Sequence, residues 1–552
     1  MLSVEEIADR LKDRFNLLTQ GSRTALPRHQ TLRAAIDWSH NLLTEPEQIL
    51  FRRLAVFAGG FTLESVEAVA VGEHVSKAQV PDLLEQLIDK SLVTVRAGSE
   101  DSVSKTRYDM LETIREYARE KLLSLDEEEL ICARHLRYFL QFSEQAEPAL
   151  RGPGQMEWLA RLKDERDNLR IALGWAAKTS DVETGLYIAG RLRFFWEQWN
   201  FNEGERWLAQ FLNKPESNDY PIARANALCA YGFVLWRIQK FSEARNAAEE
   251  CLALFRTCDD PQGEIDGLLL MESVLRYLGT IEQVTERKAE YGQEALALAK
   301  SLGDRWRQAQ ALAHLGWDHR EYSRARAYWD EAVVLFREVG DFVLLADFLG
   351  ALAELEILYG DFESARGRLD EAIEVNRQMN NEMGSALFLG ALSKLATVKG
   401  DFVKGRAFLE QALTLTEESG DHANHLWARS HLGHLVLRQG NLTEARDIFS
   451  KTAQGFLEGK NDIGIIFTLE GVAGVYTAAD KYQLAARLIG WSDAAREKIG
   501  DHRPPVEQAE VDRDIATCLA RLGEAAFVEA YEEGKAMSFD DAVEFALKET
   551  KQ

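Results

Sequence analysis

Asp361-Phe362-Glu363-Ser364-Ala365-Arg366 returns as Asp401-Phe402-Val403-Lys404-Gly405-Arg406 and again as Asn441-Leu442-Thr443-Glu444-Ala445-Arg446. Glu321-Tyr322-Ser323-Arg324-Ala325-Arg326 precedes these copies, and a worn one, Lys481-Tyr482-Gln483-Leu484-Ala485, follows them. The large apolar residue stands at 322, 362, 402, 442 and 482, a constant step of 40 residues. A period of this size marks a solenoid, because one repeat cannot bury its own apolar face and must stack on its neighbours. Leu315, Leu355, Leu395, Leu435 and Val475 keep the same step, as do the small residues Ala325, Ala365, Gly405, Ala445 and Ala485. Small side chains are what closely approaching helices require.

A second turn shares the period: Gly340-Asp341, Asn380-Asn381, Gly420-Asp421, Lys460-Asn461 and Gly500-Asp501. Glycine or asparagine ends a helix in the left-handed region, and the following Asp or Asn caps the next one. Each unit is therefore predicted to be two helices and two turns. Lys240-Phe241-Ser242-Glu243-Ala244-Arg245 is an earlier copy, and a blurred one with a small insertion lies around 280–300, giving about seven units over 221–500.

Composition agrees with helix nearly throughout. The 552 residues include only 10 prolines, and 46 % are hydrophobic against 28 % charged. The formal net charge is −25, which repels nucleic-acid phosphates unless a local basic patch overrides it. Cys132, Cys229, Cys251, Cys258 and Cys518 are scattered and form no CxxC pair. That pattern suits reduced thiols better than a disulfide frame or a zinc site. Neither a signal peptide nor an apolar run of the ~20 residues a membrane helix needs is visible, so the expectation is a cytoplasmic protein.

Ahead of the repeats, apolar spacing predicts helices over 1–18 and 31–43. Thr44 with Glu47 forms a capping box for the next, which Gly59-Gly60 stops. Further helices are predicted over 63–71 and from Pro81 to Lys90, followed by strands over 91–96 and 107–110. Three helices and a two-stranded wing make the winged-helix pattern. Its would-be recognition helix carries Asp82, Glu85 and Asp89 against Lys90 alone. A reader of the major groove presents cations and donors, so this pattern argues against direct DNA contact.

Asp126-Glu127-Glu128-Glu129 is expected to be a solvated turn opening a helix over 130–146. Phe194-Phe195-Trp196-Glu197-Gln198-Trp199-Asn200-Phe201 is the densest aromatic cluster. It fits a packed seam between winged helix and repeats better than a ligand cage. His422, His425, His431 and His434 lie within thirteen residues. No Cys or placed carboxylate completes a metal set there, and no catalytic triad or paired-carboxylate arrangement stands out elsewhere. Two helices over 506–522 and 524–534, and a last one capped by Ser538 with Asp541, are expected to close the array.

Several of these stretches resemble one family. Leu26-Pro27-Arg28-His29-Gln30-Thr31-Leu32-Arg33-Ala34-Ala35-Ile36-Asp37-Trp38-Ser39, Leu54-Ala55-Val56-Phe57-Ala58-Gly59-Gly60-Phe61 and Met110-Leu111-Glu112-Thr113-Ile114-Arg115-Glu116-Tyr117-Ala118-Arg119 look like the STAND ATPases. More narrowly they resemble bacterial NB-ARC regulators, many with LuxR-type output domains. The likeness continues through Trp158-Leu159-Ala160-Arg161-Leu162 and Asp167-Asn168-Leu169-Arg170. It implies the order P-loop ATPase, small helical domain, winged helix, helical repeats. No GxxxxGK[ST] occurs in these 552 residues, so ATP or ADP is expected to matter only if an ATPase domain is supplied elsewhere. The family's Met-His-Asp motif, whose His touches the bound diphosphate, falls on Met110, Leu111 and Glu112. Leu111 cannot donate a hydrogen bond to phosphate. It is expected to be core, with Glu112 capping the helix that follows.

The order of small residue, turn aromatic and Ala-rich second helix also resembles tetratricopeptide repeats, with longer helices than the ~34-residue form. The expected architecture is all-α with a small β wing. It comprises a remnant of the small helical domain over 1–43, the winged helix over 44–125, a helical adaptor over 126–220, the repeat superhelix over 221–500 and capping helices over 501–552. The expected function is non-enzymatic: a signal-sensing part of a STAND-type regulator. Its repeats would bind a protein, peptide or small inducer on the concave face of the first helices. Gln310, Trp317, Arg320, Lys394 and His434 are the candidate partner-binding residues.

Overall fold

In the computed structural model, which describes residues 32–96, 106–278, 282–317, 322–379 and 385–548, the capping residues act as their spacing predicts. The side chains of Asp361, Asp401 and Asn441 accept from the backbone N–H groups of Ser364, Lys404 and Glu444 at 3.3, 3.2 and 3.4 Å. Asp341, Asp421 and Asn461 do the same for the alternate helices, at 3.1, 3.1 and 2.9 Å. Each cap supplies a partner for one of the four amides a helix N-terminus leaves open. Gly340, Gly360, Gly400, Gly420 and Gly440 precede these caps with positive φ, which ends the helix before. Where the position is Lys460 or Asp480 the backbone takes the same conformation, without glycine's freedom.

The described residues divide into two units. The first comprises residues up to Glu147 together with Met156–Ile188. It contains α1 (Leu32–Asn41), α2 (Glu45–Arg53), α3 (Leu63–Val69), α4 (Val80–Asp89) and α5 (Glu112–Ser124). Most of α6 (Glu128–Ala149) and α7 (Gln155–Asp164), then α8 (Arg166–Thr179) and the first part of α9 (Val182–Arg191), complete it. Strands β1 (Phe61–Thr62), β2 (Thr94–Arg96) and β3 (Arg107–Asp109) pair antiparallel in the order β1-β3-β2. The wing is thus three-stranded rather than two-stranded: Phe61-Thr62 adds an edge by pairing with Tyr108 and Arg107. A two-residue strand gives no alternation to read, which is why the pattern hides it. The expected helix over 1–18 lies outside the described residues.

The core of this unit runs from Leu50 and Phe51 of α2 and Leu54 just after it through Val66 and Leu87 to Tyr117 and Ile131. Two of the sequence motifs clasp one another within it. Asn168 accepts from the Ala58 N–H at 2.7 Å and donates to the Gly60 carbonyl at 2.9 Å and to Glu165 at 2.6 Å. Arg107 pairs with Glu165, both buried, and donates to the Asp164 carbonyl at 3.1 Å. Gly60 has φ +95°, and a Cβ there would stand 2.8 Å from the Tyr108 carbonyl oxygen. The Gly59-Gly60 turn is therefore both conformationally and sterically glycine's.

Two expectations about this unit are corrected. Leu111 is not core: it is 62 % exposed, while Met110 is buried. The residue after β3 turns inward and its successor, at the N-cap of α5, turns out, leaving Glu112 to pair with Arg115. The acidic run is not wholly solvated either. Glu127 takes bidentate hydrogen bonds from Arg52 at 2.8 and 3.1 Å and pairs with Arg53 at 3.1 Å. Burial opposes its charge, but the two guanidinium groups prevail and hold its pKa at about 2.

The second unit comprises Pro148–Gln155 and residues from Ala189 onward. After α10 (Arg193–Trp199) and α11 (Phe201–Leu212) come seven helix pairs. These are α12 (Pro221–Arg237) with α13 (Phe241–Thr257), α14 (Pro261–Leu278) with α15 (Glu282–Leu302), and α16 (Arg305–Leu315) with α17 (Tyr322–Val339). Then come α18 (Phe342–Leu358) with α19 (Phe362–Gln378), and α20 (Ala386–Val398) with α21 (Phe402–Ser419). The last pairs are α22 (His422–Arg438) with α23 (Leu442–Glu458) and α24 (Asp462–Ala478) with α25 (Tyr482–Ile499). The small positions Ala325, Ala365, Ala445 and Ala485 are buried, whereas Phe362 remains 37 % exposed at its turn. The period's small residue is fully buried, while its large apolar one packs from the turn at the core's margin, as Phe402, Leu442 and Tyr482 do.

The aromatic cluster packs within the repeat unit. Trp196 donates to the Ala189 carbonyl at 2.9 Å, and Gly204 is small because a Cβ would lie 2.7 Å from the Trp196 ring. Arg193 sits 3.6 Å from the Phe233 ring centroid, and Phe194 meets Trp306 edge-on at 5.6 Å. The expected adaptor over 126–220 is accordingly split between the two units. At the far end come α26 (Pro505–Leu522), α27 (Glu524–Lys535) and α28 (Phe539–Lys548). They bury Val511, Cys518, Phe527 and Val543, and the predicted Ser538–Asp541 cap is formed.

Candidate ligand site in the repeat unit

The first helices of consecutive pairs, α18, α20, α22 and α24, line up with α26 around one cavity of about 120 Å³. Ile357, Val398, Leu435, Phe467, Val506 and Val511 give it apolar walls. Lys394, His431, His434, Arg438, Glu470, Glu507, Glu510 and Asp514 supply its polar groups. These positions differ from repeat to repeat, unlike those that build the turns.

Most of the donors are already spoken for. Lys394 pairs with Glu354, and Arg438 with Glu510. The His434 Nε2 lies 3.2 Å from the Phe467 carbonyl oxygen, and burial lowers its pKa to about 4, so the ring is neutral and that nitrogen donates. Burial holds His431 well below the usual histidine range too, with the Lys394 cation reinforcing it. Glu470 also lines the cavity. It takes two hydrogen bonds from Arg496, both at 2.8 Å, and one from Arg503 at 2.7 Å. Burial opposes the charge on Glu470, but these guanidinium groups hold its pKa below the ordinary carboxylate range. Arg503 in turn pairs with Asp493, which accepts from the Tyr531 hydroxyl at 2.5 Å, tying α24 and α25 to α27.

Of the residues singled out from sequence, Lys394 and His434 meet in this cavity. Gln310 is buried in α16, only 7 % exposed. Trp317 packs against Trp329 and Phe348, with ring centroids 4.9 and 6.4 Å away, and Arg276 lies 5.5 Å from its ring. Neither therefore joins Lys394 and His434. Arg320 lies outside the described residues. Met110, Leu111 and Glu112 sit at the β3–α5 junction of the first unit. His425 engages Thr416 at 3.0 Å and Arg429 at 2.8 Å, so the histidine run serves several local purposes.

Sequence reasoning missed Glu507 and Asp514, which it left inside a polar cap. Their signal was present: two carboxylates seven residues apart fall on one helix face, the face that also carries Val506 and Val511. In the first unit, Asp82, Glu85 and Asp89 project from α4 as exposed side chains, and Lys90 is drawn to the buried Glu47. No basic face remains on that helix. Among the described residues no helix is long and apolar enough to cross a membrane.

Comparison with known proteins places both modules. Residues 43–123 match the winged helix-turn-helix domain model, and residues 386–458 match the tetratricopeptide repeat model. The chain thus carries a winged helix followed by tetratricopeptide repeats. Among curated proteins, it is 37 % identical over 319 residues to a Mycobacterium tuberculosis protein provisionally named an HTH-type transcriptional regulator. That match covers 56 % of this chain and 35 % of the relative, so the chain spans about a third of the relative's length. An uncharacterised M. tuberculosis protein is 38 % identical over 141 residues, 25 % of this chain and 35 % of that one. Among solved structures, a STAND protein with a tetratricopeptide repeat sensor from Pyrococcus horikoshii aligns with TM-score 0.45 and 14 % identity, covering 97 % of this chain and 72 % of that one. A Rap protein complexed with competence and sporulation factor aligns with TM-score 0.44 and 13 % identity, covering 59 % and 98 %.

Proposed function

We propose that this chain is the sensing and relay part of a STAND-type transcriptional regulator. The repeats take a protein, peptide or small inducer on the face lined by their first helices, and the winged helix passes occupancy on. One observation carries this reading. The positions where the repeats stop agreeing converge on a cavity, while the helix that would read DNA exposes carboxylates. Solenoids place their binding groups on such a face, leaving the periodic residues to hold the stack. Catalysis is not part of the reading.

Selecting binders from a peptide library on the whole chain, then mapping them by photo-crosslinking, tests it. Crosslinks on α18, α20, α22 or α24 are expected. Crosslinks confined to the winged helix, or salt-sensitive retention of the chain on duplex DNA, would overturn it. A second reading makes the chain part of a nucleotide-dependent regulator whose P-loop lies upstream or on another chain. The greater length of the curated relatives favours it. An in-frame GxxxxGK[ST] in the DNA upstream of Met1 would establish that reading.

A further inference from the structure

The cavity between α20, α22, α24 and α26 has an unequal inventory of hydrogen-bonding groups. Its cations and its donor histidine are committed: Lys394 to Glu354, Arg438 to Glu510, His434 to the Phe467 carbonyl. The groups left over accept. Glu507 receives no hydrogen bond among the described residues, and its nearest cation, Arg496 at 3.8 Å, is already bidentate to Glu470. Asp514 likewise receives none. Gly474 lies beside it: a Cβ there would stand 2.9 Å from the Leu437 side chain and 3.4 Å from an Asp514 oxygen. His431, 4.0 Å from Glu354 and held neutral, offers a lone-pair nitrogen. Two carboxyls and an imidazole thus line an apolar-walled space, and no hydrogen bond reaches either carboxyl among the described residues.

We propose that this cavity binds a small protonated amine with a short aliphatic body. The ammonium sits between Glu507, Asp514 and His431, and the carbon chain lies against Val398, Leu435 and Phe467. An ammonium carries three donors and no acceptor, the complement of this inventory. An anion would meet two carboxylates and no free cation. A neutral alcohol would fill the space but bring only one donor. A charge placed in an enclosed site is stabilised only by an opposite charge with good contacts, which these two carboxyls supply.

Burial agrees with unfilled acceptor sites. It pushes Glu507 up to about 7 and Asp514 up to about 6, the neighbouring Glu510 adding to the latter. The charged groups that act on Glu507 are Lys394, Arg496, Glu470 and Asp501, and those on Asp514 are Glu510 and Arg513. An arriving ammonium draws both carboxyls into the charged form. Amine affinity is therefore expected to rise between pH 5.5 and 8, where an alkylamine stays protonated.

This inference rests on the reading of the repeats as a sensor, and one titration separates the two. The whole chain is titrated with n-butylamine, n-butanol and butyrate by ligand-observed NMR. The Glu507→Gln/Asp514→Asn double variant and Val398→Trp, which fills the cavity, are run in parallel. Binding of n-butylamine at least tenfold tighter than butyrate, lost tenfold or more in both variants, is the expected result. Both substitutions keep similar bulk or lie at a partly exposed wall, and circular dichroism checks that they fold. Butyrate binding that Val398→Trp abolishes would overturn the amine while sparing the site. No binding of any probe, or n-butylamine binding unchanged in both variants, would overturn the amine proposal outright. A parallel titration with Nα-acetyl-lysinamide tells the source. Tighter binding than n-butylamine marks a lysine side chain of a peptide, and weaker binding marks a free amine.

Discussion

The two units use polar residues in opposite ways. In the winged-helix unit the motifs that stand out in sequence are spent on one another. Asn168 holds the Ala58–Gly60 turn, Arg107 holds Glu165, and Tyr117 donates to Asp37 at 2.6 Å. In the repeat unit the recurrent residues are spent on caps and close packing, while His431 at a variable inner position and Glu507 and Asp514 of α26 line the cavity, neither carboxyl receiving a hydrogen bond among the described residues. A distinctive motif can thus be a clasp, and the functional groups can be the residues no motif contains.

Four tests probe this contrast, ordered by expected effect. Glu470→Ala removes the carboxylate that neutralises the buried Arg496 and Arg503. Stranding buried charges costs about 3–5 kcal/mol, to be read as an early transition of the repeat unit in urea. Asn168→Ala strands the Ala58 N–H and the Gly60 carbonyl. At about 1–2 kcal/mol for each unsatisfied group, roughly 2–4 kcal/mol should go from the winged-helix transition, leaving the repeat transition in place. Equal loss in both transitions would break the contrast.

The third test uses pH, where His135 in the first unit and Glu507 with Asp514 in the second should contribute slopes of opposite sign. Burial lowers His135 to about 3, between Phe57 and Phe139. The unfolded chain takes up that proton first, near pH 6.5. The first unit's stability therefore holds above about 6.5 and falls as pH drops towards 3. Glu507 and Asp514 are raised instead, so the folded repeat unit keeps their protons longer than the unfolded chain does. Their contribution is full below about pH 4 and is lost as pH rises through 6 and 7. His135→Leu should flatten the acid loss, and Glu507→Gln/Asp514→Asn the loss on the other side, in melting curves taken from pH 4 to 8. The smallest effect is expected for Leu111→Ser. The side chain is exposed, so its stability should change by no more than about 0.5 kcal/mol. A larger drop would mean that Leu111 is packed after all.

The 40-residue step made the helix pairs, their caps and the number of units legible, because each rests on local chemistry repeated several times over. Asp361, Asp401 and Asn441 needed no tertiary information to be recognised as caps. The wing's third strand was not legible, since Phe61-Thr62 is too short to show alternation and becomes a strand only beside Tyr108. Leu111 was misjudged because apolarity alone does not tell which way a residue turns at a strand end. Half of the cavity was visible: Lys394 and His434 break the repeat on the first helices. The other half comes from α26, which lies outside the period. No repetition within one sequence links Glu507 and Asp514 to the helices of the earlier repeats.

The central claim is that recognition lies on the cavity face of the repeats and not on the winged helix. Fluorescence anisotropy of a library-selected peptide against the whole chain, wild type beside Val398→Trp, tests it most directly. The account predicts binding that Val398→Trp weakens at least tenfold with the fold intact. Peptide binding equally tight in Val398→Trp would contradict it.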